Sequence, residues 1–121
     1  MKNVLFLLGF LLIVSKAWAT PDWAPATEYS SSTQVTTSNA AVCNVTVTGV
    51  GVTVGDYITL SNSASGATTP VQLRVTAPTA NFSTNIQYGS NPCNLFTSGV
   101  YLKESASSGT LYTDIQYLNA I

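Results

Sequence analysis

At 121 residues, with no histidine and only 7% charged side chains, the chain can bury one modest core but offers few groups for acid–base or metal chemistry. Thr, Ser, Asn, Val and Ala fill the share that charged residues, about 25% of an average soluble protein, usually take, a composition that suits extracellular and virion β-proteins better than cytosolic enzymes. Beyond residue 19 two cations, Arg74 and Lys103, stand against five acids, Asp22, Glu28, Asp56, Glu104 and Asp114; a net charge of −3 excludes a nucleic-acid site, which needs a basic patch, and a polybasic membrane contact.

Residues 1–19 differ in composition from everything after them. Lys2 gives a positive start, Val4 to Val14 form an apolar run broken only by Gly9, and Ala17-Trp18-Ala19 makes an A-x-A cleavage site before Thr20. As a helix the run spans roughly 16 Å, about half of a hydrocarbon core of about 30 Å. The segment therefore reads as a signal peptide, and no permanent membrane span is expected once it is cut. The expected destination is secreted, periplasmic or otherwise extracellular, with the virion as the alternative. Residues 20–33, with Pro21, Pro25 and Ser30-Ser31-Ser32, hold no apolar period and read as an extended N-terminal arm. Its large side chains, Trp23 and Tyr29, either pack back on the domain or contact a neighbouring subunit.

From residue 34 the period is two. Cys43, Val45 and Val47 alternate with Asn44, Thr46 and Thr48; Ile58 and Leu60 with Tyr57, Thr59 and Ser61; Val71, Leu73 and Val75 with Gln72, Arg74 and Thr76. Phe82, Thr84, Ile86 and Tyr88 continue the pattern, as do Val100 and Leu102, then Leu111, Thr113, Ile115 and Tyr117. Each run predicts a strand with one buried and one wet face. Gly49 to Gly55, Ser61 to Thr69, Ala77-Pro78-Thr79 and Ser105 to Gly109 supply turn chemistry between them. No stretch of helical period intervenes, so parallel crossovers are disfavoured. The expected fold is all-β, with residues 34–121 forming a small antiparallel β-sandwich of about six to eight strands, jelly-roll-like or immunoglobulin-like. An immunoglobulin domain proper is disfavoured because no Trp lies between the cysteines.

Cys43 and Cys93 are the only two cysteines, and in an exported chain each is the other's one possible partner. The competing reading is a pair of buried thiols. A metal site lacks histidine to complete it, and no cofactor is expected. Without histidine a Ser or Cys nucleophile also lacks its usual base. Asp56, Glu104 and Asp114 stand beside turns or strand ends, and a pair of carboxylates about 5 to 10 Å apart is a glycosidase constellation. Solvated surface acids are the simpler reading, and the chain is expected not to be an enzyme. Two sequons, Asn44-Val45-Thr46 and Asn81-Phe82-Ser83, arise readily in so Asn- and Thr-rich a chain and matter only in a glycosylating host.

If Ile58, Val100 and Leu111 face inward, alternation turns Tyr57, Tyr101 and Tyr112 outward. Outward tyrosines serve as cross-strand packing, as a protein interface or as a platform for sugar stacking. These three, with Trp23 and Tyr29, are the candidate interface residues.

The runs Val54 to Leu60 with Ser65-Gly66, Leu73-Arg74-Val75, Leu95-Phe96-Thr97-Ser98-Gly99-Val100-Tyr101-Leu102 and Ile115-Gln116-Tyr117-Leu118 resemble small β-sandwich proteins among the structural genes of tailed bacteriophages. The resemblance spans roughly residues 42 to 118, implies a non-catalytic structural or decoration subunit, and assigns no site residues. A second resemblance, to bacterial pilus subunits, rests on export, one disulfide and the alternating C-terminal stretch from Gly109 to Ile121. Together these readings predict an exported structural or surface-interaction module that binds a protein partner or itself. The alternative from another class is a carbohydrate-binding module that meets surface glycans through the exposed tyrosines.

Overall fold

The computed structural model describes residues 27–88 and 93–119. The expected signal peptide, residues 1–19, and residues 20–26 of the expected arm, Trp23 among them, lie outside the described residues. Within them are nine strands: β1 (Thr27–Tyr29), β2 (Thr33–Thr36), β3 (Ala40–Val50), β4 (Tyr57–Asn62), β5 (Val71–Thr76), β6 (Phe82–Gln87), β7 (Asn94–Phe96), β8 (Val100–Ser105) and β9 (Thr110–Asn119). They form two sheets, ordered β1-β9-β3-β6 with β7 also on β3, and β2-β8-β4-β5. Every pair is antiparallel.

The all-β, antiparallel expectation from residue 34 onward matches this architecture, but the strand count is higher than the six to eight expected. The physical reason is that β1 and β7 are three residues each, too short to display a period. Both are recruited by longer neighbours, β1 by β9 and β7 by β3. The apolar positions of the two inner faces meet in one core, where Val45, Ile58, Leu60, Phe96, Leu102 and Ile115 are each at most 1% exposed. Burial of each such side chain contributes about 1.5–3 kcal/mol, which is what commits each strand to one face.

β3 is the spine of its sheet. β9 runs along one side, while β6 and then β7 occupy the other, pairing with Asn44 to Gly49 and with Ala40 to Val42 respectively. Cys43 falls in the gap between them, and the register against β9 also slips between Val42 and Asn44. The slip is a bulge, and it reverses the phase of the strand: Ala40 and Val42 are buried before it, Val45 and Val47 after it. A disulfide joins Cys43 to Cys93 across a Cα–Cα distance of 4.7 Å, and the Tyr88 N–H donates to the Cys43 carbonyl at 3.0 Å. The end of β6 and the start of β7 are thus both tied to one residue of β3.

Polar clusters close the two ends of the sandwich. At one end Asp56, buried, accepts hydrogen bonds from the Thr53 N–H at 2.9 Å and the Ser107 hydroxyl at 2.9 Å, while the Ala77 N–H donates to its carbonyl at 2.7 Å. Three connections are gathered by one side chain and its backbone. At the other end the Gln34 amide directs Nε2 at the carbonyls of Thr36, Ser63 and Val100, at 2.9, 2.6 and 3.0 Å, and its Oε1 accepts from the Gly66 N–H at 2.9 Å. Gly99 completes that end. Its φ is +151°, and a Cβ there would lie 2.7 Å from the Thr36 carbonyl oxygen and 2.8 Å from that of Ser63, so only glycine fits.

Candidate functional site

The outer face of β2-β8-β4-β5 is ordered by its register. Tyr101, Ser61 and Val71 form one cross-strand row, Lys103, Thr59 and Arg74 the next, and Ser105, Tyr57 and Thr76 the third. A register shift at Leu60/Ser61 leaves Gln72 out of the ladder. Its amide turns instead to β7 and donates to Asn94 Oδ1 at 3.0 Å and to the Leu95 carbonyl at 2.9 Å, joining an edge of one sheet to an edge of the other. Arg74 lies over the Tyr57 ring, 3.8 Å from its centroid, a cation–π contact between diagonal neighbours. Thr59, between the two cations, is 5% exposed and its hydroxyl has no hydrogen-bond partner among the described residues.

The opposite outer face, on β1-β9-β3-β6, has rows Glu28–Asp114–Thr46–Asn85, Tyr112–Thr48–Ser83, Gln116–Asn44–Gln87 and Leu118–Ala41–Leu95. Side-chain ladders knit it: Asn85 Nδ2 donates to Asn44 Oδ1 at 2.8 Å and to Thr46 Oγ1 at 2.7 Å. Its edge strand β6 contains no charged residue and no proline, and pairs with β3 without a bulge. Such an edge lacks charge, proline and bulge, three of the usual protections against pairing with another strand. Phe82 and Ile86 of β6 pack on the core, and the Phe82 ring lies over Gly49, directly across the ladder, where a side chain on Gly49 would collide with it.

The candidate tyrosines therefore separate. Tyr57 and Tyr101 share one outer face, at opposite ends of the β4–β8 ladder, while Tyr112 lies on the outer face of the other sheet. Each is half-buried. Tyr29 stands opposite Thr113 on the inner side of β1 and packs against the core; burial raises its phenol pKa, and neighbouring Tyr117 adds to the rise.

The carboxylates separate as well. Asp56 is held below the usual carboxylate range chiefly by the Thr53 N–H, with burial opposing and hydrogen bonds from Ser107 and Ser108 assisting. Glu104 reaches from β8 to the Leu111 N–H at 3.4 Å; burial pushes its pKa up, and the Leu111 bond offsets part of the rise. Asp114 faces out on β9 beside Glu28. Among the described residues no group of three His, Cys, Asp or Glu side chains is placed to hold a metal ion.

One arrangement is absent from the sequence reading. Arg74 and Lys103 lie on one outer face, Glu28 and Asp114 on the other. Alternation along Leu73-Arg74-Val75 and Leu102-Lys103 gives the outward direction of each cation, but not that β5 and β8 flank the same strand. No protein-family model matches the chain, and no curated protein is similar to it.

Proposed function

We propose that the protein is an exported, non-catalytic structural module that assembles through the free edge of β6, with a protein partner or with further copies of itself. The observation that carries this reading is the uncharged, unbulged edge of β6, which offers backbone groups to an added strand. The strand order points to the finer fold. With β6 and β7 counted as one position beside β3, β1-β9-β3-β6 and β2-β8-β4-β5 follow the double Greek key of a jelly roll rather than an immunoglobulin order. Jelly rolls serve as capsid and as lectin domains, so the choice between assembly and sugar binding rests on the surface. A three-tyrosine platform has little support, because Tyr112 is on the far sheet and Arg74 covers one face of the Tyr57 ring. The Cys43–Cys93 bond supports an oxidising destination, secreted or periplasmic. A virion or a pilus-like fibre is the same assembly in another setting.

Lysines at exposed edge positions are the direct test. Light scattering of the exported protein is expected to show assemblies that grow with concentration, and Ser83→Lys with Gln87→Lys to shift them toward monomer with unchanged circular dichroism. A protein that stays monomeric at high concentration and binds no surface removes the basis of this reading. Monomers that light up a glycan array would move it to the carbohydrate class.

A further inference from the structure

The two outer faces carry opposite charge. On β2-β8-β4-β5 the outward charges are Lys103 and Arg74, flanking Thr59 in one row; on β1-β9-β3-β6 they are Glu28 and Asp114, directly opposite one another. The other described acids are committed elsewhere, Asp56 to its loop cluster and Glu104 to the Leu111 N–H. Like charges opposed across a ladder destabilise the sheet that bears them. Among the described residues neither Glu28 nor Asp114 has an ion-pair partner, and neither does Lys103.

We infer that these faces are made for each other: the acid pair of one copy docks on the Lys103–Thr59–Arg74 row of the next. This rests on the assembly reading above and adds to it a second surface, separate from the β6 edge. The cations stand two strand spacings apart, about 10 Å, and the acids one, about 5 Å, so the long arms of Lys and Arg converge on the pair. Arg74 is already held over the Tyr57 ring, and of its donors only Nε–H is engaged, by the Thr76 hydroxyl at 3.5 Å. A guanidinium fixed in this way is suited to two-point bonding of a carboxylate. The Thr59 hydroxyl at the middle of the row is buried and has no hydrogen-bond partner among the described residues, a polar group between the two cations that the row itself leaves unsatisfied. The rest of both faces is mostly uncharged Thr, Ser, Asn, Gln and Tyr, so no like charge opposes contact. Because the faces point in opposite directions, the contact is head-to-tail and repeats without closing, which builds an open stack along the sheet normal.

Charge reversal with mixing tests this on the full chain expressed in an exporting host. One variant carries Glu28→Lys and Asp114→Lys, the other Arg74→Glu and Lys103→Glu. Each alone presents two like faces and is expected to self-associate about tenfold or more weakly than the parent, as reversal of close charge pairs does. The equimolar mixture restores both kinds of complementary contact and is expected to recover assembly. Parent stacks should also dissolve as salt shortens the Debye length from about 10 Å at 0.1 M to about 3 Å at 1 M, whereas edge pairing through backbone hydrogen bonds should not. If assembly survives salt and both reversals yet is lost with Ser83→Lys and Gln87→Lys, the edge reading stands and the face pairing is wrong. A parent that never assembles overturns both. Salt-sensitive retention of a monomeric parent on heparin, lost with Arg74→Glu and Lys103→Glu, would make the row a polyanion site and overturn the pairing.

Discussion

Among the described residues, Asp56 and Glu104 are the two carboxyls drawn into the body of the protein, and the fold treats them in opposite ways. Asp56 is more acidic folded than unfolded, because the Thr53 N–H and the serine donors prefer its charged form. Its stabilisation is present above the ordinary value of 3.8 and is lost as pH falls through the lower folded value. Glu104 is less acidic folded than unfolded, since burial disfavours its charge. Its charge therefore weakens the fold above the raised folded pKa, and that effect vanishes below the ordinary value of 4.5. Asp56→Asn is expected to lower the melting temperature at neutral pH, with the difference from the parent closing in strong acid. Glu104→Gln is expected to raise it at neutral pH, with the gain fading as pH falls through the raised folded pKa and gone below 4.5. Thermal melts at stepped pH check both, and a gain from Asp56→Asn at pH 7 would contradict the hydrogen-bond account. Neither role is legible in the sequence, where both residues sit next to turn or strand-end positions that look solvated.

Among the elements, the alternating runs give β6, β8 and β9 directly, because each has one face in the core and a more exposed opposite face. β4 and β5 depart from the expected pattern, since the outward Thr59 and Ser61 of β4 are buried as well and the register shift beside Ser61 turns Val71 of β5 outward, 47% exposed. What alternation does not carry is phase through an apolar run, or the sheet to which a strand belongs. Ala40-Ala41-Val42-Cys43 is apolar at every step, so the bulge at Cys43 leaves no mark. Tyr112 points outward as alternation requires, yet on the other sheet from Tyr57 and Tyr101. In Leu95-Phe96 only Phe96 enters the core, at 0% exposure, while Leu95 is 51% exposed. The disulfide compensates for the weakness of so short a strand as β7. It spans 50 residues, and the chain-entropy model gives such a loop roughly 4 kcal/mol against a domain stability of about 5–15 kcal/mol. Replacing both cysteines by serine is expected to lower the unfolding free energy by about 4 kcal/mol in a denaturant titration. An unchanged midpoint would show that β7 holds to β3 without the bond.

At the scale of the whole molecule, the order of pairing departs most from the order of the chain. Of the strand pairs, only β4 with β5 joins consecutive elements; β1 waits for β9, β2 for β8, and β3 for β6, β7 and β9. The spacing of strands and turns along the sequence says nothing of this, since any antiparallel order satisfies the same alternation. The kinetic consequence follows from loop-closure entropy: most contacts must be made across long stretches of chain before burial rewards them. Refolding of the disulfide-intact chain is therefore expected in about the millisecond-to-second range typical of non-local β topologies. The intact Cys43–Cys93 bond pre-closes the gap in which β6 and β7 meet β3, so the reduced chain should refold more slowly. Stopped-flow tyrosine fluorescence on oxidised and reduced protein measures both rates. Sub-millisecond refolding, or a reduced chain as fast as the oxidised one, would mean that a local nucleus such as the β4–β5 hairpin sets the rate instead. Until β3 has gathered its partners, the uncharged β6 segment is open along both edges, and in that interval the chain is most prone to pair with another copy.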